Sequence, residues 1–241
     1  MQLPLIKNKE DLIEITNEIG LLPFFENHIT GFSVEENISE ECWWQGQTEE
    51  GGKIIWPAWE WKGEVLRDKS LVYGKFTNGK ACFVSLKWWP YLCNIRRNGY
   101  DFDSLLDEHA AHIPVCDRLA MEYLYKNGPC LSKEIKYGLT AFDSKGHNSF
   151  DGAMTRLQME TYITPVDFVY PISKKTGLPY GWGIAKYGTA DGYWGKRACR
   201  NRYKEDPQDS YSKLEAHLLK MLPECTDKDI KRLLKSPVTD F

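Results

Sequence analysis

"PVCDRLAMEYLYKNGPCLSKEIKYGLTAFDSKGHNSFDGAMTRLQMETYITPVDFVYPISKKTGLPYGWGIAKYG", residues 114–188, carries three changes of hydrophobic period that decide the fold. Its first part places Cys116, Leu119, Ala120, Tyr123 and Leu124 on one helical face, opens with Pro114 and stops at Gly128. "LSKEIKYGL" reads as a shorter helix, with Ser132 as a cap and Glu134 at the positive helix end. "SFDGAMTRLQME" reads as a third, capped by Ser149, with Phe150, Ala153, Met154 and Leu157 at i, i+3, i+4 and i+7. The period then falls to two in "TYITPVDFVY" and "YGWGIAKYG", two strands around the loop "PISKKTGLP". Three helices followed by a hairpin is the order of a winged helix-turn-helix.

N-terminal to this unit, Leu12, Ile13, Ile15 and Ile19 mark a helix over residues 9–19 that Gly20 ends, and an acidic loop is expected to about residue 50. "LVYGKFTNGKACFVSL" is two β-rich runs around Asn78-Gly79, a pair that accepts positive φ at both turn positions, and so reads as a hairpin. Pro90 suits the first turn of a short helix from Trp89 towards Arg96. After Pro207, "DSYSKLEAHLLKML" and "DKDIKRLLK" read as two closing helices. The expected class is therefore α+β: an N-terminal helix and Trp-rich β-hairpin unit at 1–110, a winged-helix domain at 111–190, and a basic segment with C-terminal helices at 191–241.

With 42% hydrophobic and 13% aromatic residues, the 241-residue chain can bury a substantial core. Seven cysteines without a C-x-x-C pair, and the lack of an apolar leader or a run of about 20 apolar residues, lead us to expect a reduced, cytoplasmic protein that does not enter a membrane. The net charge of −3 hides an asymmetry: residues 26–50 hold seven acids and no Lys or Arg, while residues 174–204 hold eight Lys or Arg against the single acid Asp191. A chain of this kind can carry a local anion-binding face while acidic overall.

In a winged helix the third helix enters the major groove, which would make Thr155, Arg156 and Gln158 readers of base edges. Lys133 in the second helix and Lys174 and Lys175 at the wing tip would neutralise phosphates. Five of the nine tryptophans fall between Trp56 and Trp89, interleaved with Lys and Arg. They make either a small aromatic core or the wall of a site for flat anionic ligands. In the second case Trp59, Trp61, Tyr73 and Trp88 would stack a base, while Lys62, Lys75, Arg96 and Arg97 supply charge. Tyr73 and Lys75 flank Gly74 on one strand and so point the same way. For catalysis the chain offers two pairs that could hold a water, Glu35 with Glu36 and Gln45 with Gln47. Nucleophile elbows and phosphate-cradling glycine loops are lacking. Cys93, His109, His112 and Cys116 have a suggestive order, but Pro114 breaks the helix that would align them; we expect neither metal nor cofactor.

The runs "VYGKFTNGKACFVSLKWWPYLCNIRRNGYDFD", "LLPFFENHITGFSVEE" and "FDGAMTRLQMETYIT" resemble the AlkZ-related proteins, a bacterial group, over residues 20–190. That group is similar in turn to the AlkZ DNA glycosylases, which are built from winged-helix modules and remove bulky or crosslinked bases. The resemblance implies DNA as partner, a flipped base as the only small ligand, and excision of damaged bases as the activity. Those glycosylases position water with a Gln-hydrophobic-Gln or Gln-hydrophobic-Asp motif, where this chain has Gln45-Gly46-Gln47 in an expected loop. The sequence leaves catalysis open, and a non-enzymatic winged-helix regulator or protein-interaction module is the second reading.

Overall fold

Asn8 opens the first helix, α1 (Lys9–Ile19), by accepting from the backbone N–H of Asp11 at 2.8 Å, and Leu12, Ile15, Thr16 and Ile19 form its buried side. Gly20 closes it at φ +104°, where a Cβ would also lie 2.7 Å from the Trp88 ring. The computed structural model describes residues 3–43, 46–47, 52–140 and 150–235.

A three-stranded antiparallel sheet follows, built from β1 (Leu21–Pro23) and, later in the chain, a hairpin in which Asn78 and Gly79 both take positive φ as the turn requires. Between them the expected acidic loop is instead partly regular. It contains two single-turn helices, α2 (Val34–Asn37) and α3 (Glu40–Trp43), and a ribbon of β2 (Gly46–Gln47) with β3 (Ile54–Ile55). Ser33 caps α2, and the acids crowded into both first turns suit the positive helix ends. The ribbon delivers the chain to α4 (Pro57–Arg67), a helix that the aromatic content of the segment concealed; Pro57 in its first turn forfeits no hydrogen bond. The hairpin strands are β4 (Leu71–Thr77) and β5 (Lys80–Ser85), in the order β1-β5-β4.

Next come α5 (Trp89–Arg97), α6 (Phe102–His109), a 3-10 turn at Ala110–His112, and α7 (Val115–Asn127). Short strand β6 (Cys130–Leu131) leads into α8 (Ser132–Thr140), then α9 (Phe150–Met159), β7 (Ile163–Val169) and β8 (Ile184–Thr189). β8 is the central strand of a second sheet, ordered β6-β8-β7, with Cys130 opposite Tyr187 and Ile163 opposite Thr189. The expected cap Ser149 lies outside the described residues. Among the described residues four more helices follow, α10 (Ala190–Tyr193), α11 (Lys196–Arg200), α12 (Pro207–Met221) and α13 (Asp227–Leu233), the last opened by a capping box at Thr226.

Helices interspersed with small antiparallel sheets make this an α+β arrangement. Buried side chains fall into two clusters. One joins Leu12, Phe24, Trp61, Phe83 and Trp89 with Cys199, Leu214, Leu218 and Ile230 of the C-terminal helices. The other gathers Phe102, Ala120, Leu124, Ile135, Leu157 and Ile163. Among the described residues no helix is long and apolar enough to cross a membrane.

Candidate functional site

Helical geometry divides the three residues expected to act together at the start of α4. Trp59 and Lys62 are three apart and share a face, whereas Trp61 turns the other way into the first core and is 8% exposed. The face with Trp59 and Lys62 opens on a cavity of about 350 Å³ between the two cores. Hairpin residues Tyr73, Gly74, Lys75 and Lys80 line one side of it, and Phe25 extends the Trp59 wall. The second unit closes it with Gln158 of α9, Phe168 of β7 and Tyr187 of β8.

The wall is rigid because its rings support one another. Trp59 stacks on Trp56 with centroids 5.2 Å apart and planes at 12°, and meets Phe24 and Trp182 edge-on at 5.5 and 5.8 Å. Tyr73 packs edge-on against Phe168 at 6.0 Å. Lys62 lies between these walls, 3% exposed, with Nζ 3.0 Å from the Trp59 centroid and 4.1 Å from that of Phe168. Among the described residues nothing accepts a hydrogen bond from it. Glu60, the carboxylate that acts on it, is taken up by Lys53 at 2.8 Å and by the Tyr170 hydroxyl. Both rings favour a cation, but loss of hydration with no compensating acceptor outweighs them, and burial pushes the amine down to about 6. At neutral pH it carries a free lone pair. Burial pushes the Tyr187 phenol up to about 12, so that it keeps its proton.

Lys75 Nζ reaches out of the cavity to donate to Thr155 Oγ1 at 3.1 Å. Beyond it a second depression, of about 340 Å³, shares Lys75 and Tyr187 and is lined further by Lys133, Lys136, Phe150 and Asp151. A basic groove therefore leads into an aromatic cavity.

Of the residues expected to form a pocket, the structure brings Trp59, Lys62, Tyr73 and Lys75 together and places Trp61, Trp88, Arg96 and Arg97 elsewhere, with Trp88 stacked on His217. Arg96 is 2% exposed and donates to the Phe76 carbonyl at 3.0 Å. Arg97 is equally buried and donates to Thr161, Asp191 and Tyr203. Both therefore act within the protein, their partners being too distant in sequence to foresee.

The expected base readers also change role. Gln158 is 1% exposed; its Nε2 donates to the Met154 carbonyl at 2.8 Å and its Oε1 accepts from the Lys75 N–H at 3.2 Å, fastening α9 to the hairpin. Arg156 pairs with the buried Asp117 through two nitrogens, at 2.5 and 2.9 Å. Thr155 donates to the Asp151 carbonyl at 2.8 Å and faces Gly79 of the hairpin turn. Burial takes Gln158 away from any groove, whereas Thr155 and Arg156 stay half-exposed and are engaged by neighbours within the protein. Lys133 lies on the basic groove, and Lys174 and Lys175 are exposed at the end of the β7–β8 hairpin.

Glu35 accepts from the Glu26 N–H at 2.9 Å, and Glu36 from the Gly31 N–H and Ser33 hydroxyl, both at 2.6 Å. Both carboxylates hold a turn. Gln45 lies outside the described residues, and Gln47 belongs to β2 rather than to a loop. Among the described residues no cluster of metal-ligating side chains occurs.

The chain belongs to the AlkZ-related family, whose pattern matches residues 6–235, nearly its whole length and more than the 20–190 over which the resemblance is visible by eye. Membership points to a DNA-repair-like role. No curated protein and no solved structure matches the chain.

Proposed function

We propose that this protein binds DNA and receives an extruded base in the cavity between Trp59, Tyr73, Phe168 and Tyr187. The observation that carries the reading is the continuity of a Lys-lined groove with an aromatic cavity through Lys75. A base leaving the duplex exchanges stacking on its neighbours for stacking on Trp59, while its flanking phosphates meet Lys75, Lys133 and Lys136. A volume near 350 Å³ is of the size that small flat ligands occupy. Segment 111–190 is on this reading a winged helix-turn-helix domain, supported by the order α7-β6-α8-α9-β7-β8 and the sheet order β6-β8-β7. Its wing presents Lys174 and Lys175, and its third helix serves as the hinge plate of the cavity. Segments 1–110 and 191–241 supply the other wall and the helices that close the first core.

Trp59→Ala should cost roughly 1 to 3 kcal/mol of affinity for a duplex with an unpaired or damaged base, and much less for a fully paired one. Anisotropy titrations of both duplexes, beside a thermal melt of the variant, measure this. Equal losses on the two duplexes would remove the base from the cavity. A second reading, DNA binding without excision, is supported by Glu35 and Glu36, whose oxygens are spent on backbone N–H groups and Ser33. Release of free base from a duplex carrying a bulky alkylated base separates the two readings.

A further inference from the structure

We propose that Lys62 is an imine-forming amine, and that the electrophile it meets is the aldehyde of a base-free deoxyribose in DNA. The proposal rests on the DNA reading above and adds to it a covalent chemistry that stacking alone would not require.

Its geometry is unusual for a lysine. The ammonium group is a strongly hydrated charge that, when buried, ordinarily finds a carboxylate or carbonyl. Lys62 has neither among the described residues, and its Nζ lies on a cavity wall between two aromatic rings. Arg97, similarly buried, is by contrast held by four hydrogen bonds. A lysine that only packed would lose nothing as methionine, which fills the same space without an amine to desolvate. An amine without a hydrogen-bond acceptor among the described residues, and largely unprotonated in an apolar cavity, is instead suited to attack on a carbonyl carbon.

The surroundings select the class of carbonyl. Acyl transfer calls for donors converging on an oxyanion, and the surface of the cavity here is mainly apolar. An aldehyde asks less. The Nζ lone pair attacks C1′ of the ring-opened sugar, the C=O π pair moves to oxygen, and a proton passes from nitrogen to that oxygen to give a carbinolamine. The C–O bond then breaks and the hydroxyl leaves with one proton as water, leaving C=N. One water is released and nothing is oxidised or reduced. Tyr187, on the same cavity and protonated, is a proton source for the departing hydroxyl. A base-free sugar carries a phosphate on either side, and Lys75 with Lys133 on the adjoining groove provides for them.

The test treats the full chain with sodium borohydride in the presence of a labelled duplex containing one base-free site. Reduction converts the imine to a stable secondary amine, seen as a retarded band on a denaturing gel and mapped by mass spectrometry. We expect an adduct on Lys62, its loss in Lys62→Arg, and none with a duplex whose sugar aldehyde was reduced beforehand. Mapping on the wild-type chain decides the case if the substitution unfolds. Duplex binding without a trapped adduct, or an adduct mapping to Lys75 or Lys80, overturns the imine and leaves the base cavity standing. A chain that binds no duplex overturns both.

Discussion

Lys62 also writes itself into the stability of the folded chain. Below about pH 6 the amine is protonated in both states, and the folded protein bears the cost of a buried charge. Between that value and the ordinary lysine value of 10.5, the unfolded chain holds a proton that the folded chain lacks, so raising the pH favours folding. The slope is up to about 1.4 kcal/mol per pH unit. Lys62→Met, which removes the proton and keeps the bulk, should stabilise the protein most near pH 6 and progressively less towards pH 9. Urea melts of both chains across that range give the difference curve; a difference independent of pH would mean that the amine stays charged in the fold. The position of Lys62 was partly legible. Pro57 and the absence of β-branched residues before Val65 allow a helix, and on a helix Trp59 pairs with Lys62 rather than with Trp61. What could not be read is the ring of Phe168, which reaches Nζ from more than a hundred residues away. The same distance hid the partners of Arg97.

At the scale of elements, strongly periodic segments declared themselves. Helix α1, the Asn78-Gly79 hairpin, α5, α7 and α12 all lie where apolar spacing, Pro and Gly put them. Strands β1 and β6, of three and two residues, are too short for alternation to register, and both gain their place from the partner strand. Helix α9 is the instructive case. Its apolar spacing marks the core face, but the hairpin that engages Thr155 and Gln158 is about 80 residues away in sequence, so their contacts do not register locally. On the reading proposed above, the wing joins Lys133 and Lys136 of α8 in meeting a phosphate backbone. Replacing Lys174 and Lys175 by Ala should then lower the slope of log affinity against log salt by up to about two, roughly one for each phosphate no longer neutralised. Anisotropy across a salt series measures it, and an unaltered slope would place the wing away from DNA.

On the scale of the whole molecule, the cavity lies between the two cores, and Arg97 is a buried tie between them. It ends α5 in the first core, donates from Nε and Nη2 to Thr161 at the edge of the second, and from Nη1 to Asp191 and Tyr203 of the C-terminal segment. Arg200 extends the tie by bridging Asp191 and Asp101. Charged groups buried in this way are costly to bring together, yet costlier to leave half-paired. Arg97→Met keeps the volume, strands the Thr161 carbonyl and leaves Asp191 with Arg200 alone; the expected loss is roughly 3 to 5 kcal/mol. The division of that loss is the informative part. All nine tryptophans lie outside residues 90–181, and most of the described ones pack in or on the first core, so indole fluorescence mainly follows that core, whereas far-ultraviolet circular dichroism also reports α7, α8 and α9. In the wild-type chain the two signals should unfold together. In Arg97→Met they should separate, because the cores no longer share their main polar bond, and affinity for a duplex with an unpaired base should fall with the docking. Coincident transitions in the variant, with a loss under about 1 kcal/mol, would show that apolar packing between α4, β4 and β7 holds the cores without Arg97.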